Sequence, residues 1–269
     1  MELSLLDGPM GTELIRLGHP CTGPSWSAEP LLTAPEAVAA IHAAYARAGA
    51  TLHTANTFRT QPHILGDGWI QSAKAAVALA RGAVPAGHRV LGSMAPIGDC
   101  YRPNESPDRP GPQHEPLAQV LAEAGVDIIL VETFPHPGEA LAAARAALAT
   151  GVPTWLSLTA GPNADLMSPT RLQRAAEQAG KAGVAVVLVN CIAASLIDPY
   201  VAALAEVGLP FGVYANAGDI AHGMGWGRGG AKEYAERAER WVERGASVVG
   251  GCCGTDPSHV AELRRALFE

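Results

Sequence analysis

The chain carries no excess of positive charge: 19 Lys and Arg stand against 26 Asp and Glu, a net charge of −7. That deficit argues against nucleic acid or an anionic membrane surface as the main partner, since both are bound through clustered cations. Long apolar runs are missing as well. The stretch from Val184 to Ile197 is broken by Asn190 and falls short of the roughly 20 residues that a bilayer span requires. The opening residues, Met1-Glu2-Leu3-Ser4-Leu5-Leu6-Asp7, hold neither a basic region nor a long apolar segment, so no signal peptide is expected. Cysteine is scarce and odd in number, with five in 269 residues, widely spaced in a chain too long to need stapling. A disulfide framework is therefore not expected, and a reduced, cytoplasmic setting fits.

What is present is a repeated unit: an alanine-rich helix, a glycine, then a short β-branched run. The glycines are Gly49, Gly125, Gly151, Gly183, Gly208 and Gly245. Glycine just past a helix takes the left-handed conformation that satisfies the last carbonyls. Ser168-Pro169, Asp198-Pro199 and Asp256-Pro257 each place a capping side chain before a first-turn proline, which predicts three helix starts. Between the helices lie eight strand candidates: Leu3–Asp7, Ala50–Asn56, Arg89–Ala95, Val126–Glu132, Pro153–Thr159, Ala185–Cys191, Pro210–Asn216 and Ala246–Cys252. Near-continuous apolar strands alternating with helices belong to a parallel sheet covered on both faces. Eight units and 48% hydrophobic content predict one core in a closed (β/α)8 TIM barrel spanning 1–269, with an open doubly wound sheet as the competing arrangement.

The polar residues fall where a barrel needs them. Asp7, Asn56, Glu132, Thr159, Asn190, Cys191, Asn216 and Cys252 end their predicted strands, on the rim that carries the active site in barrel enzymes. Two segments break the rhythm, Gly98 to Pro112 after the third strand and Gly218 to Gly230 after the seventh, and both are expected as rim loops. Gly225-Trp226-Gly227-Arg228-Gly229-Gly230 fits a nucleotide-binding pattern formally but lacks its strand-to-helix context. Single histidines near the rim, His53, His114 and His222, are expected as core or solvated residues.

Cysteines concentrate the chemistry. Cys252 and Cys253 follow an apolar run, and adjacent strand residues point to opposite faces, so the two thiols converge only if the chain leaves the strand there. Gly250, Gly251 and Gly254 permit that. Cys191 ends another strand, 61 residues earlier. Three thiolates with one open position suit zinc. A buried apolar Cys191 beside a structural or redox Cys252-Cys253 pair is the alternative that spacing leaves open.

Taken in order, Asp7-Gly8-Pro9-Met10-Gly11-Thr12-Glu13-Leu14, Trp26-Ser27-Ala28, Pro35-Glu36, His42 with Tyr45, Thr54-Ala55-Asn56-Thr57-Phe58, Glu132-Thr133, Val189-Asn190-Cys191 and Gly250-Gly251-Cys252-Cys253 resemble the zinc-dependent homocysteine S-methyltransferase family nearly end to end. That family includes the betaine- and S-methylmethionine-using enzymes and the homocysteine module of cobalamin-dependent methionine synthase. The resemblance implies a single homocysteine-binding domain in which Cys191, Cys252 and Cys253 hold Zn²⁺ and the substrate sulfur takes the open position. It further implies that Glu132 and Asp7 meet the amino-acid part of homocysteine, Glu132 its ammonium, with the Gly8 backbone at its carboxylate. Asn216 matches an asparagine near the zinc that fills the fourth position while substrate is absent, and Trp26 matches a tryptophan of the methyl-donor pocket. The chain is short for the family and its loops after strands three and seven diverge. The donor is expected to be S-methylmethionine or S-adenosylmethionine. Two alternatives stay open: a homocysteine-activating subunit with a separate corrinoid protein partner, and a non-catalytic zinc- or redox-sensing barrel. Whether the chain forms a homo-oligomer is not legible.

Overall fold

In the computed structural model, which describes residues 2–218 and 230–269, the repeated glycines do what the repeat requires. Gly49, Gly125, Gly151, Gly183, Gly208 and Gly245 all take positive φ, between 76° and 107°. Each ends a helix in a left-handed turn and re-aims the chain toward the next strand.

Eight strands follow: β1 (Ser4–Leu5), β2 (Leu52–Ala55), β3 (Arg89–Met94), β4 (Ile128–Phe134), β5 (Thr154–Leu158), β6 (Val186–Ala193), β7 (Phe211–Asn216) and β8 (Val248–Gly251). All pair in parallel in the order β1-β8-β7-β6-β5-β4-β3-β2. The remaining gap is spanned by a Leu6–Leu52 bridge, with Thr51 N donating to Leu5 O at 2.9 Å and Asp7 N to Leu52 O at 3.0 Å. The result is a (β/α)8 barrel, as the alternation predicts; the open sheet is excluded by these closing bonds.

The helices are α1 (Met10–Arg16), α2 (Pro30–Thr33), α3 (Pro35–Arg47), α4 (Pro62–Leu65), α5 (Trp69–Ala83), α6 (Gly111–Glu123), α7 (Pro137–Leu148), α8 (Pro169–Ala182), α9 (Asp198–Ala205), α10 (Ala231–Glu243) and α11 (Pro257–Phe268). Strand residues alternate between two buried layers. Leu91, Ile128, Leu130, Val186, Leu188 and Val248 fill the barrel, whereas Val90, Ile129, Val131, Val187, Val189 and Val249 pack against the helices. The same period brings Ser93, Glu132, Asn190 and Tyr214 to the cavity at the rim.

Three boundaries differ from expectation. Ser168 and Asp256 cap their helices, but Asp198 lies inside the first turn of α9 and gives no side-chain cap. Its carboxylate instead accepts from Trp241 Nε1 at 3.0 Å, tying α10 to α9. Strands β4 and β6 run two residues beyond Glu132 and Cys191, because each absorbs a register shift rather than ending there. The 98–112 loop contains a short turn at Pro103–Glu105 and gives way to α6 at Gly111. Residues 219–229, with His222 and Trp226, lie outside the described residues. Among the described residues no helix is long and apolar enough to cross a membrane.

Candidate active site

The two register shifts build the site. Thr133 in β4 and Cys191 in β6 take φ of 63° and 53°, the left-handed region that side chains rarely occupy. Each such residue costs about 1–3 kcal/mol unless its surroundings fix it. Here a polar tie joins the two bulges: Ser157 Oγ donates to Asn190 Oδ1 and Asn190 Nδ2 to Thr133 Oγ1, both at 2.8 Å and fully buried. The bulge turns Cys191 toward the barrel axis, where it packs with the interior cluster.

Cys252 and Cys253 arrive from β8 as the strand ends. A Cβ on Gly250 would meet Leu6 Cβ at 2.7 Å and the Asp7 carbonyl at 3.1 Å, and one on Gly251 would collide with Thr255. The chain can thus turn tightly beside β1 only because both positions lack side chains. Thr255 Oγ1 and N donate to Cys252 O at 2.9 and 3.0 Å, Cys252 N donates to Ala215 O at 2.9 Å, and Ala217 N to Cys253 O at 3.0 Å. Tyr234 Oη reinforces this end of the barrel, bonding Ala215 N and O at 3.0 Å and Gly250 O at 2.8 Å.

The sulfurs of Cys191, Cys252 and Cys253 all lie within 4.8 Å of one another, and those of Cys191 and Cys252 are 2.7 Å apart. All three side chains are buried. Hydrogen bonds from Cys191 and Cys253 favour the Cys252 thiolate and hold it well below the usual thiol range. Its hydrogen bond with Cys252 raises Cys191, and Cys253, although the bond with Cys191 lowers it, is raised on balance by its bond with Cys252 and by burial.

These sulfurs line a cavity of about 640 Å³, together with Asp7, Gly8, Trp26 and Glu132. Glu132 accepts from Ser93 Oγ and from Tyr214 Oη (2.9 Å), yet burial outweighs both bonds and lifts its carboxyl to about 7, with the charge of Cys252 adding to the effect. Burial also raises Asp7 well above the usual carboxylate range, against the bond from Thr54 N at 2.9 Å, and Glu132 raises it further. A cationic group bound in this cavity would favour the charged form of both carboxyls. Gly8 passes beneath the Tyr45 ring, where a Cβ would lie 2.6 Å from the ring atoms. Trp26, at φ 38°, sets its indole over Gly11 and meets Phe58 edge-on, centroids 6.2 Å apart.

Every site residue expected from the sequence lines this cavity except Asn216. That residue is fully buried at the end of β7, and neither of its side-chain polar atoms has a partner among the described residues. His114 is a core residue, 3.2 Å from Glu139, and His53 is a fully buried residue of β2. Sequence reasoning missed Ser93 and Tyr214, which hold Glu132, although both sit at the period-two interior positions of their strands. It also missed Cys100 and Tyr101, which bring the 98–112 loop over the cavity and for which no periodic signal exists.

The model of the homocysteine S-methyltransferase family matches residues 4–267. The homocysteine S-methyltransferase of Escherichia coli (strain K12) is 30% identical, covering 98% of this chain and 94% of its own length. The selenocysteine Se-methyltransferase of Brassica oleracea var. italica is 26% identical, covering 98% and 88%. The crystal structure of the homocysteine methyltransferase MmuM from Escherichia coli in its metallated form superposes with a TM-score of 0.84 at 26% identity, covering 98% of this chain and 96% of that one.

Proposed function

The chain belongs to the homocysteine S-methyltransferase family, and on that premise we propose that it transfers a methyl group to the thiol of homocysteine, giving methionine, at a zinc site formed by Cys191, Cys252 and Cys253. The observation that carries this reading is the convergence of three buried sulfurs, from β6 and from the end of β8, on the floor of one cavity. They fit the ion. Tetrahedral zinc with bonds near 2.3 Å sets its sulfurs about 3.8 Å apart; the three lie within 4.8 Å of one another, and Cys191 and Cys252, at 2.7 Å, open by about 1 Å to take it. The buried, unpartnered side chain of Asn216 supports it as the group that completes the set while substrate is absent. Zinc bound there would supply the thiolate form of homocysteine at neutral pH, worth roughly 2 kcal/mol for a thiol of pKa near 8.5.

The remaining work falls to the chain's own groups. Glu132, oriented by Ser93 and Tyr214, takes the substrate ammonium, with Asp7 beside it, while Gly8 lets the substrate carboxylate approach backbone N–H groups closely. Binding the ammonium favours the charged form of Glu132 that burial otherwise disfavours. Trp26 offers an indole face to a cationic donor, and a sulfonium fits it by cation–π attraction. The homocysteine sulfur attacks the donor methyl in line; the S–CH₃ bond of methionine forms as the donor's own S–CH₃ bond breaks, and the sulfonium leaves as a neutral thioether. S-methylmethionine and S-adenosylmethionine both meet that requirement. Tyr101 and Cys100 close the cavity from the side of β3 and limit water.

A donor screen with homocysteine tests the reading: methionine is expected with a sulfonium donor, and a chelator should abolish it. Methionine formed only from a methylated corrinoid would favour a subunit that works with a corrinoid protein. The 2.7 Å approach of Cys191 and Cys252 favours a second reading, a thiol pair that oxidises and releases metal. Zinc-loaded chain that forms no methionine with any donor, yet loses zinc to mild oxidant, would select it.

A further inference from the structure

A second cluster of ligand-type side chains lies where β1, β2 and α3 meet. Asp7 at the end of β1, His42 on α3 and His53 on β2 are 3%, 0% and 0% exposed, and each offers one ligand atom within 4.8 Å of the others. Their hydrogen bonds do not close. Both ring nitrogens of His42 and Nδ1 of His53 have no partner among the described residues. His53 Nδ1 stands 3.9 Å from Asp7 Oδ2, beyond hydrogen-bond reach. Nδ1 of His53 and one ring nitrogen of His42 therefore lie beside a buried carboxylate with no hydrogen bond to it.

The groups behind the cluster are, by contrast, well made. His53 Nε2 lies 3.0 Å from His88 Nδ1, with the two rings 6° from parallel and their centroids 5.2 Å apart, as an in-plane hydrogen bond requires. Asp7 Oδ2 accepts from Thr54 N at 2.9 Å. Metal-bound histidines donate their second N–H to such a partner, and metal-bound carboxylates are held by hydrogen bonds in the same way. In the tautomer that donates Nε2–H to His88, the Nδ1 of His53 is a bare lone pair turned toward a carboxylate. A divalent cation there would join the two imidazoles to the carboxylate.

We propose that Asp7, His42 and His53 bind a second divalent transition-metal ion, of the zinc class, separate from the three-sulfur site. Two imidazoles and a carboxylate suit zinc and its first-row neighbours better than calcium or magnesium, which prefer oxygen alone. Asp7 also lines the main cavity, which gives the ion an entry path. Once there, the ion takes Asp7 as a ligand and leaves Glu132 as the carboxylate that receives the substrate ammonium; it also fastens α3 to β1 and β2. The other occupant such a polar pocket admits is a buried water.

Metal counting separates the two. Purified chain loaded with Zn²⁺ and desalted should retain about two ions per chain by elemental analysis, given chelation by two independent ligand sets. His53→Leu and His42→Gln should each lower the count by one. In the Co²⁺-loaded forms of those variants the thiolate-to-cobalt charge-transfer band should persist, because the sulfurs are untouched. Conversely, a Cys191→Ser, Cys253→Ala chain should keep one ion and lose that band. A wild-type chain holding a single ion with full thiolate absorption would overturn the proposal in favour of water. So would an unchanged count in both histidine variants. Should His53→Leu fail to fold, the wild-type count and His42→Gln still decide. Loss of the thiolate band in wild type would count against the three-sulfur site alone, leaving this one to its own count.

Discussion

Glu132→Gln is the substitution whose effect the structure fixes most closely. The amide keeps the size of the side chain and removes its charge, in a position 8% exposed where Ser93 and Tyr214 both aim hydroxyls at the carboxylate. A hydrogen bond to a buried charged group contributes about 1.5–3 kcal/mol, and truncating one partner of a buried charge pair costs about 2–5 kcal/mol. A loss of about 2–4 kcal/mol corresponds to roughly 30- to 700-fold in kcat/KM for homocysteine, at about 1.4 kcal/mol per decade. Methionine formation against homocysteine concentration measures it, with zinc content followed in parallel. The control is 4-mercaptobutanoate, which lacks the ammonium. Wild-type enzyme should use it as poorly as the variant uses homocysteine, and the variant should lose little more on the change, since both perturbations delete one interaction. A variant within threefold of wild type for homocysteine, or full additivity in the cycle, would refute the assignment of Glu132 to the ammonium.

Tyr234→Phe removes the hydroxyl that joins Ala215 and Gly250 beneath the thiols and leaves buried backbone groups short of a partner; chemical denaturation should show a loss of about 1–3 kcal/mol. Burial, reinforced by Cys252, raises Glu132 from about 4.5 to about 7, so the folded chain binds this proton more tightly than the unfolded one. Its contribution to stability is therefore fully present below about 4.5 and lost as pH rises through about 7, and Glu132→Gln should remove that part of the pH dependence of Tm in metal-free protein.

Much of this was legible in the sequence because the barrel writes its punctuation plainly. Gly49, Gly125, Gly151, Gly183, Gly208 and Gly245 mark helix ends with the one residue that enters the left-handed region freely, and polar residues ending apolar runs point to the rim. Asp7, Glu132, Cys191 and Cys252 meet in one cavity for that reason, with Cys253 beside them, whereas Gly8 and Trp26 were found by resemblance. The two bulges were not legible. Thr133 and Cys191 hold left-handed conformations against their own preference, and what holds them is the Ser157–Asn190–Thr133 tie, which joins three strands that only the fold makes neighbours. Ser93 and Tyr214 were hidden inside apolar strands. The grouping of His53 with His42 and Asp7 depends on how α3 packs against β1 and β2, which no local pattern encodes. Asn216 was legible as a strand end on the rim, its role near the metal came by resemblance alone, and its unpartnered amide is what the structure adds.

Methionine formation by Cys253→Ala, assayed with a sulfonium donor and excess zinc, tests the shared-ion claim most directly. Turnover should fall to background, together with loss of the thiolate-to-cobalt band in the Co²⁺-loaded variant. Turnover at the wild-type rate in that variant would contradict it.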